Sequence, residues 1–218
     1  CFQNIRFEIS EDITLSKIFT LYKDSTALES YEWWNKSAFC YIGRMADYKG
    51  IKEILSAWEI LYNKHHEKTP PLWLLGGNVD DISTYRKAVL SYVPLLMKYE
   101  NEHKIYWWGY STSEGLATIL SKCSVMIMHS AFEPGGRVML EAFATGTPVI
   151  STPCGFSRDS IINWLNGFIV PYKDIIHLAH FMNFFLKNEY LSNMLGIQAQ
   201  HTFYSLEKTW NYFQTLDS

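Results

Sequence analysis

Short apolar runs that stop abruptly, each followed by an amphipathic stretch, set the strongest limit on how this chain can fold. Ala38–Ile42 stops at Gly43, Leu72–Leu75 at Gly76-Gly77, Ile105–Trp108 at Gly109, and Val125–Met128 just before Ser130. After the first run, Ile51, Ile54, Leu55, Trp58 and Leu61 recur at helical spacing from about Gly50. A long helix is predicted over roughly Ile82–Tyr99, broken or kinked at Pro94, and another from Ser113 with Glu114 in its first turn. Pro148–Ser151 and Phe168–Val170 read as a fifth and a sixth strand. From Lys173 the chain reads as helices, with Gly196 as the break between two of them. Fully apolar strands alternating with helices predict an α/β, Rossmann-like parallel sheet with helices on both faces. Ligands of such sheets bind beyond the carboxyl ends of the strands, where Gly43, Gly76, Gly77, Gly109 and Gly135 all fall.

Composition removes several other function classes. At 218 residues and 48% hydrophobic content, the chain can bury one sizeable core, and its 8 tryptophans argue against disorder. A net charge of −3, without a basic-aromatic stripe, gives no reason to expect nucleic acid as a partner. No apolar run approaches the roughly 20 residues of a membrane span, so no transmembrane segment is expected. Cys1, Cys40, Cys123 and Cys154 are scattered, with Cys40 in a core strand and Cys123 at a helix end, as reduced thiols of a cytoplasmic protein would be. His177 and His180 share a helix face, but no cysteine or carboxylate cluster completes a metal site, and no metal or other cofactor is expected. Residues 1–36 read as a lead-in segment or interdomain linker, with a helix near Leu15–Tyr22 and an aromatic cluster at Tyr31, Trp33 and Trp34. Residues 37–200 form the ligand-binding domain, and 201–218 a C-terminal helix. The start at Cys1 reads as that of a piece of a longer protein.

The chemistry concentrates in Ser130–Gly146, where Glu133 and Glu141 stand eight positions apart around Gly135-Gly136. Glu133 follows a strand, and Glu141 lies about one and a half turns into the next helix. The glycine pair opens that helix, so its free N–H groups and positive dipole end suit a phosphate. Flanking carboxylates suit polyol hydroxyls, and a nucleotide sugar carries diphosphate, ribose and sugar together. A second element, Gly43-Arg44 followed by Lys49-Gly50, places two cations at a strand end and a helix start, fit to clamp a diphosphate. A third, Gly109-Tyr110-Ser111, follows the third strand, and Tyr110 there could stack on a base or simply pack.

From about Ala38 to Val170 these elements, in order, resemble the C-terminal, donor-binding half of the retaining GT-B glycosyltransferases of group 1, or family 4, with the glutamate-any-seven-glutamate signature at Glu133 and Glu141. The resemblance implies transfer of a sugar from a UDP- or GDP-linked donor to a hydroxyl acceptor, with retention and without a metal. It assigns stabilisation of the leaving diphosphate to Arg44 and Lys49, hydroxyls of the transferred sugar to Glu133, and the ribose to Glu141. Backbone groups near Gly136 and Arg137 would approach the sugar and phosphates, Gly43 and Gly109 would line the donor, and Ser130 matches the serine before the first glutamate. The chain departs from the usual pattern at Gly135, where an aromatic is common, and at Phe156 and Asp159, where a glycine and a glutamate are. The acceptor, a glycan, lipid or protein, would bind through a missing N-terminal domain, on which the C-terminal helix with Leu206, Trp210 and Phe213 would pack, so this chain alone would transfer little. The full-length protein would be cytoplasmic, or peripheral to a membrane. The remaining alternatives are a nucleotide-sugar epimerase of similar fold and a non-catalytic interaction module.

Overall fold

The computed structural model describes residues 38–216, with side chains to residue 209. The expected lead-in helix and the Trp33-Trp34 cluster lie outside the described residues, as do the side chains of Trp210 and Phe213. In chain order the elements are β1 (Ala38–Ile42), α1 (Ile51–His65), β2 (Leu72–Leu75), α2 (Val79–Val89), α3 (Leu96–Asn101), β3 (Ile105–Trp108) and α4 (Ser113–Ser121). They continue as β4 (Cys123–Met128), α5 (Arg137–Ala144), β5 (Val149–Ser151), α6 (Ser157–Ser160), β6 (Gly167–Ile169), α7 (Ile175–Lys187) and α8 (Glu189–Leu216).

The strands form one sheet in the order β3-β2-β1-β4-β5-β6, and every pair is parallel. The chain builds outward from β1 to β3, then crosses back to start β4 on the other side of β1. That reversal opens a crevice between the carboxyl ends of β1 and β4, the place where sheets of this kind hold ligands. Alternation along the strands divides the core. Phe39, Tyr41, Val125 and Ile127 face one side, with Trp58 of α1 and Met182 of α7. Ala38, Cys40, Met126 and Met128 face the other, with Met139 and Phe143 of α5 and Phe203 of α8. Helices therefore cover both faces, as the apolar strands require.

Several element boundaries differ from the sequence reading. The helix expected over Ile82–Tyr99 is broken around Pro94, as its sequence predicts, but its first part begins earlier, at Val79. Asn78 starts it with a capping box, accepting from Asp81 N at 2.8 Å while its own N–H donates to Asp81 Oδ2 at 3.2 Å. Gly196 does not break the C-terminal helices. It lies inside α8, and the break falls at Asn188, whose side chain donates to Phe184 O at 2.9 Å as α7 ends. Residue 201 likewise marks no boundary, because α8 runs unbroken through it. Ala199 and Phe203 pack α8 onto α5, Leu206 packs against the same cluster, and Gln200 Nε2 donates to Ala144 O at 3.1 Å. Cys123 opens β4 rather than closing a helix. Among the described residues no helix is long and apolar enough to cross a membrane.

The Asn166-Gly167 turn into β6 is more than a turn. Asn166 is fully buried, accepts from Ile162 N at 2.8 Å, and donates to Ser160 O at 2.9 Å and to Thr202 Oγ1 of α8 at 3.0 Å. Asn166→Ala leaves buried backbone groups without partners and is expected to cost about 2–4 kcal/mol in urea denaturation, from the desolvation of each orphaned group.

Candidate functional site

The loop after β1 is tied to the end of β4 by backbone. Tyr41 OH donates to Arg44 O at 2.7 Å, and a single 3-10 turn, Asp47–Lys49, leads to Gly50. Gly50 sits in the left-handed region at φ 70°, and a Cβ there would meet the carbonyl oxygen of His129 at 2.0 Å. Only glycine allows α1 to begin so close to β4. Next to it, Ala131 N donates to Tyr48 O at 2.7 Å. These contacts bring the two charged elements of the sequence face to face.

Lys49, buried at the helix start, pairs through Nζ with Glu133 Oε2. The other carboxylate oxygen of Glu133 accepts from Gly136 N at 3.3 Å. Gly136 is the left-handed residue that starts α5, with φ 81°. One carboxylate is thus held by an ammonium and by the positive end of a helix. Arg44 is exposed, and no ion pair among the described residues uses it. The ring of Tyr48 lies 6.0 Å from the Arg44 guanidinium carbon and 5.4 Å from Lys49 Nζ, so an aromatic face serves both cations. Tyr48 was not anticipated, although its place between Arg44 and Lys49 was visible in the sequence.

Glu141 has a different environment. It is buried one turn beyond Arg137, whose Nε lies 3.5 Å from its Oε1. Burial raises its pKa to about 7, with Arg137 opposing the shift. Burial thus favours the protonated form of Glu141 relative to an exposed glutamate. Behind the signature loop, Thr152 Oγ1 donates to Ser130 O at 2.6 Å and Phe156 N to Gly135 O at 3.2 Å. A Cβ on Gly155 would meet Glu133 O at 2.5 Å, so the loop after β5 presses on the one carrying Glu133. His129 is fully buried, and burial lowers its pKa to about 4. Its Nε2 accepts from Lys173 N at 3.0 Å, which fastens the loop after β6 to the same strand end.

The site residues predicted from sequence fall in two groups. Arg44, Lys49, Ser130, Glu133, Gly135, Gly136, Arg137 and Glu141 gather on the loops after β1 and β4 and on α5, with Gly43 at the end of β1. Gly109 and Tyr110 lie two strands away and border a cavity of about 480 Å³, together with Leu75, Trp108, Ser111 and Thr118. Tyr110 is mostly exposed there. Among the described residues no group of three or more His, Cys, Asp or Glu side chains could hold a metal ion.

A family model described as "Glycosyl transferases group 1" matches residues 31–202. An uncharacterized glycosyltransferase of Methanocaldococcus jannaschii, MJ1069, is 22% identical over 195 residues, 88% of this chain and 46% of that protein. The chain spans less than half the length of the curated relatives it matches. Among solved structures, Anabaena Alr3699/HepE in complex with UDP-glucose superimposes with a TM-score of 0.67 at 18% identity, covering 94% of this chain and 53% of that one. The C-terminal domain of a glycosyl transferase group 1 family protein, LpcC, of Francisella tularensis superimposes with a TM-score of 0.65 at 18% identity, covering 77% of this chain and 85% of that domain. These likenesses establish the fold, and the family match, over most of the chain, establishes the kinship: the chain belongs to the group 1 glycosyl transferases.

Proposed function

We propose that this chain is the donor-binding half of a retaining glycosyltransferase that transfers a sugar from a nucleoside diphosphate sugar, UDP-linked in the first instance, to a hydroxyl acceptor. The observation that carries the reading is the meeting of Lys49, Glu133 and the α5 N-terminus at the β1–β4 crevice, with Arg44 beside them and Glu141 buried behind. The diphosphate lies against Arg44, Lys49 and the start of α5, the positive end of the helix dipole. As the bond to the sugar breaks, charge develops on the diphosphate, and fixed cations stabilise it without reorganising. These cations supply the countercharge themselves, so no metal is required. Glu141 takes the ribose hydroxyls, and the cavity beside Gly109 and Tyr110 takes the base. UDP is favoured because HepE, of the same fold, was crystallised with UDP and with UDP-glucose. The acceptor reaches the sugar from a second domain, so this chain binds donor yet transfers poorly alone.

Calorimetric titration with UDP, GDP, ADP and their common sugar conjugates, with and without Mg²⁺, tests the reading. Selective, metal-independent binding of one diphosphate is expected, and no binding by any of them would overturn it. Arg44→Ala is expected to weaken that binding about tenfold, on the order of 1.4 kcal/mol, and to flatten its dependence on salt. Undiminished salt dependence would remove Arg44 from the diphosphate. The ionised form of Glu141 is the better acceptor for ribose hydroxyls, and its pKa is about 7 before ligand arrives. Binding of the nucleotide sugar, whose doubly esterified diphosphate does not titrate in this range, should therefore strengthen as pH rises from 6 to 8, and protons should be released on binding in the lower half of that range. Glu141→Gln should abolish both effects, and their persistence in that variant would show that another group titrates.

A further inference from the structure

We propose that Glu133 acts as a built-in competitor for the diphosphate seat, and so sets the preference of this site for a sugar-linked over a sugar-free nucleotide. The inference rests on the reading of the site given above. A diphosphate at a helix start needs an ammonium and free N–H groups. Here Lys49 Nζ and Gly136 N both already contact one carboxylate, that of Glu133. The seat is filled by the protein's own anion.

The pair is not a loose surface contact. The side chains of Lys49 and Glu133 are 11% and 18% exposed, so water and salt replace neither partner well. Lys49 can leave Glu133 only if another anion takes its place, and Glu133 can leave Lys49 only if other donors do. A bare nucleoside diphosphate meets the first condition and fails the second, because its phosphate oxygens are acceptors. A nucleotide sugar meets both, since its phosphate oxygens accept from Lys49 and its sugar hydroxyls donate to Glu133. Arg44, which makes no such pair among the described residues, is free to meet the incoming diphosphate first. After transfer only the nucleoside diphosphate remains, and the return of Glu133 to Lys49 drives it out. Glu133 is thus a specificity-determining residue as well as a ligand for the sugar.

The test titrates UDP, UDP-glucose, GDP and GDP-mannose into the protein and into Glu133→Gln. The variant keeps an acceptor for Gly136 N and removes the charge that holds Lys49. Binding of the free diphosphate should tighten about tenfold, because an opposing charge close to the phosphates is gone. Binding of the sugar conjugate should weaken or stay level, so the preference for the conjugate collapses. Should Glu133→Gln fail to fold, Glu133→Ala removes the same charge and provides the same test. An unchanged or weakened free diphosphate, in a protein that binds it, would overturn the competition and leave the donor-site reading intact. Absence of binding by all four probes, in protein and variants alike, would overturn both.

Discussion

The carbonyl oxygen of His129 occupies the space that any side chain at position 50 would need, with only 2.0 Å available for a Cβ. This backbone approach fixes the rest of the site. It sets the start of α1 against the end of β4, so that Lys49, one residue earlier, faces the loop that carries Glu133. The Ala131 N–H to Tyr48 carbonyl bond closes the same seam one step further out. The ion pair is thus a consequence of close backbone packing at the topological reversal of the sheet. Without that approach the charges would belong to two separate loops.

The two signature glutamates show how local position, not residue type, decides chemistry. Glu133 precedes the helix, so its carboxylate can turn back onto the helix start and across to a cation. Glu141 follows inside the helix, where packing removes water and raises its pKa. One meets a lysine and a backbone N–H at the crevice. The other lies beside Arg137, shielded from solvent. Arg137, between them in sequence, reaches Glu141 and leaves Lys49 to Glu133.

Much of this was legible in the sequence, because fully apolar strands of this length leave few alternatives to a parallel sheet. All six expected strands are present, within about two residues of their predicted ends. What escaped depends on competition between weak local signals. A glycine inside a helix costs only about 1 kcal/mol, and the packing of Leu195, Ala199 and Phe203 outweighs that at Gly196. The cap at Asn78 and the break at Asn188 come from side-chain bonds to backbone, which apolar periodicity does not register. His65, at the end of α1, bonds Asn183 of α7 through Nε2 at 2.8 Å, a contact that periodicity does not register either. The Lys49–Glu133 pair joins residues 84 positions apart, and only the crossover from β3 back to β4 makes them neighbours. Each residue could be named from sequence, whereas their direct engagement could not.

The two sides of the crevice are held in different ways. On the lysine side, the chain is set by the backbone contact between Gly50 and the His129 carbonyl. On the other, Met128 of β4 lies beneath the start of α5, its methyl group 3.4 Å from where a Cβ on Gly136 would be. An unbranched thioether adjusts its torsions at little cost. The backbone N–H that meets Glu133 therefore rests on a side chain able to follow a small shift of the helix start, whereas the lysine rests on backbone against backbone.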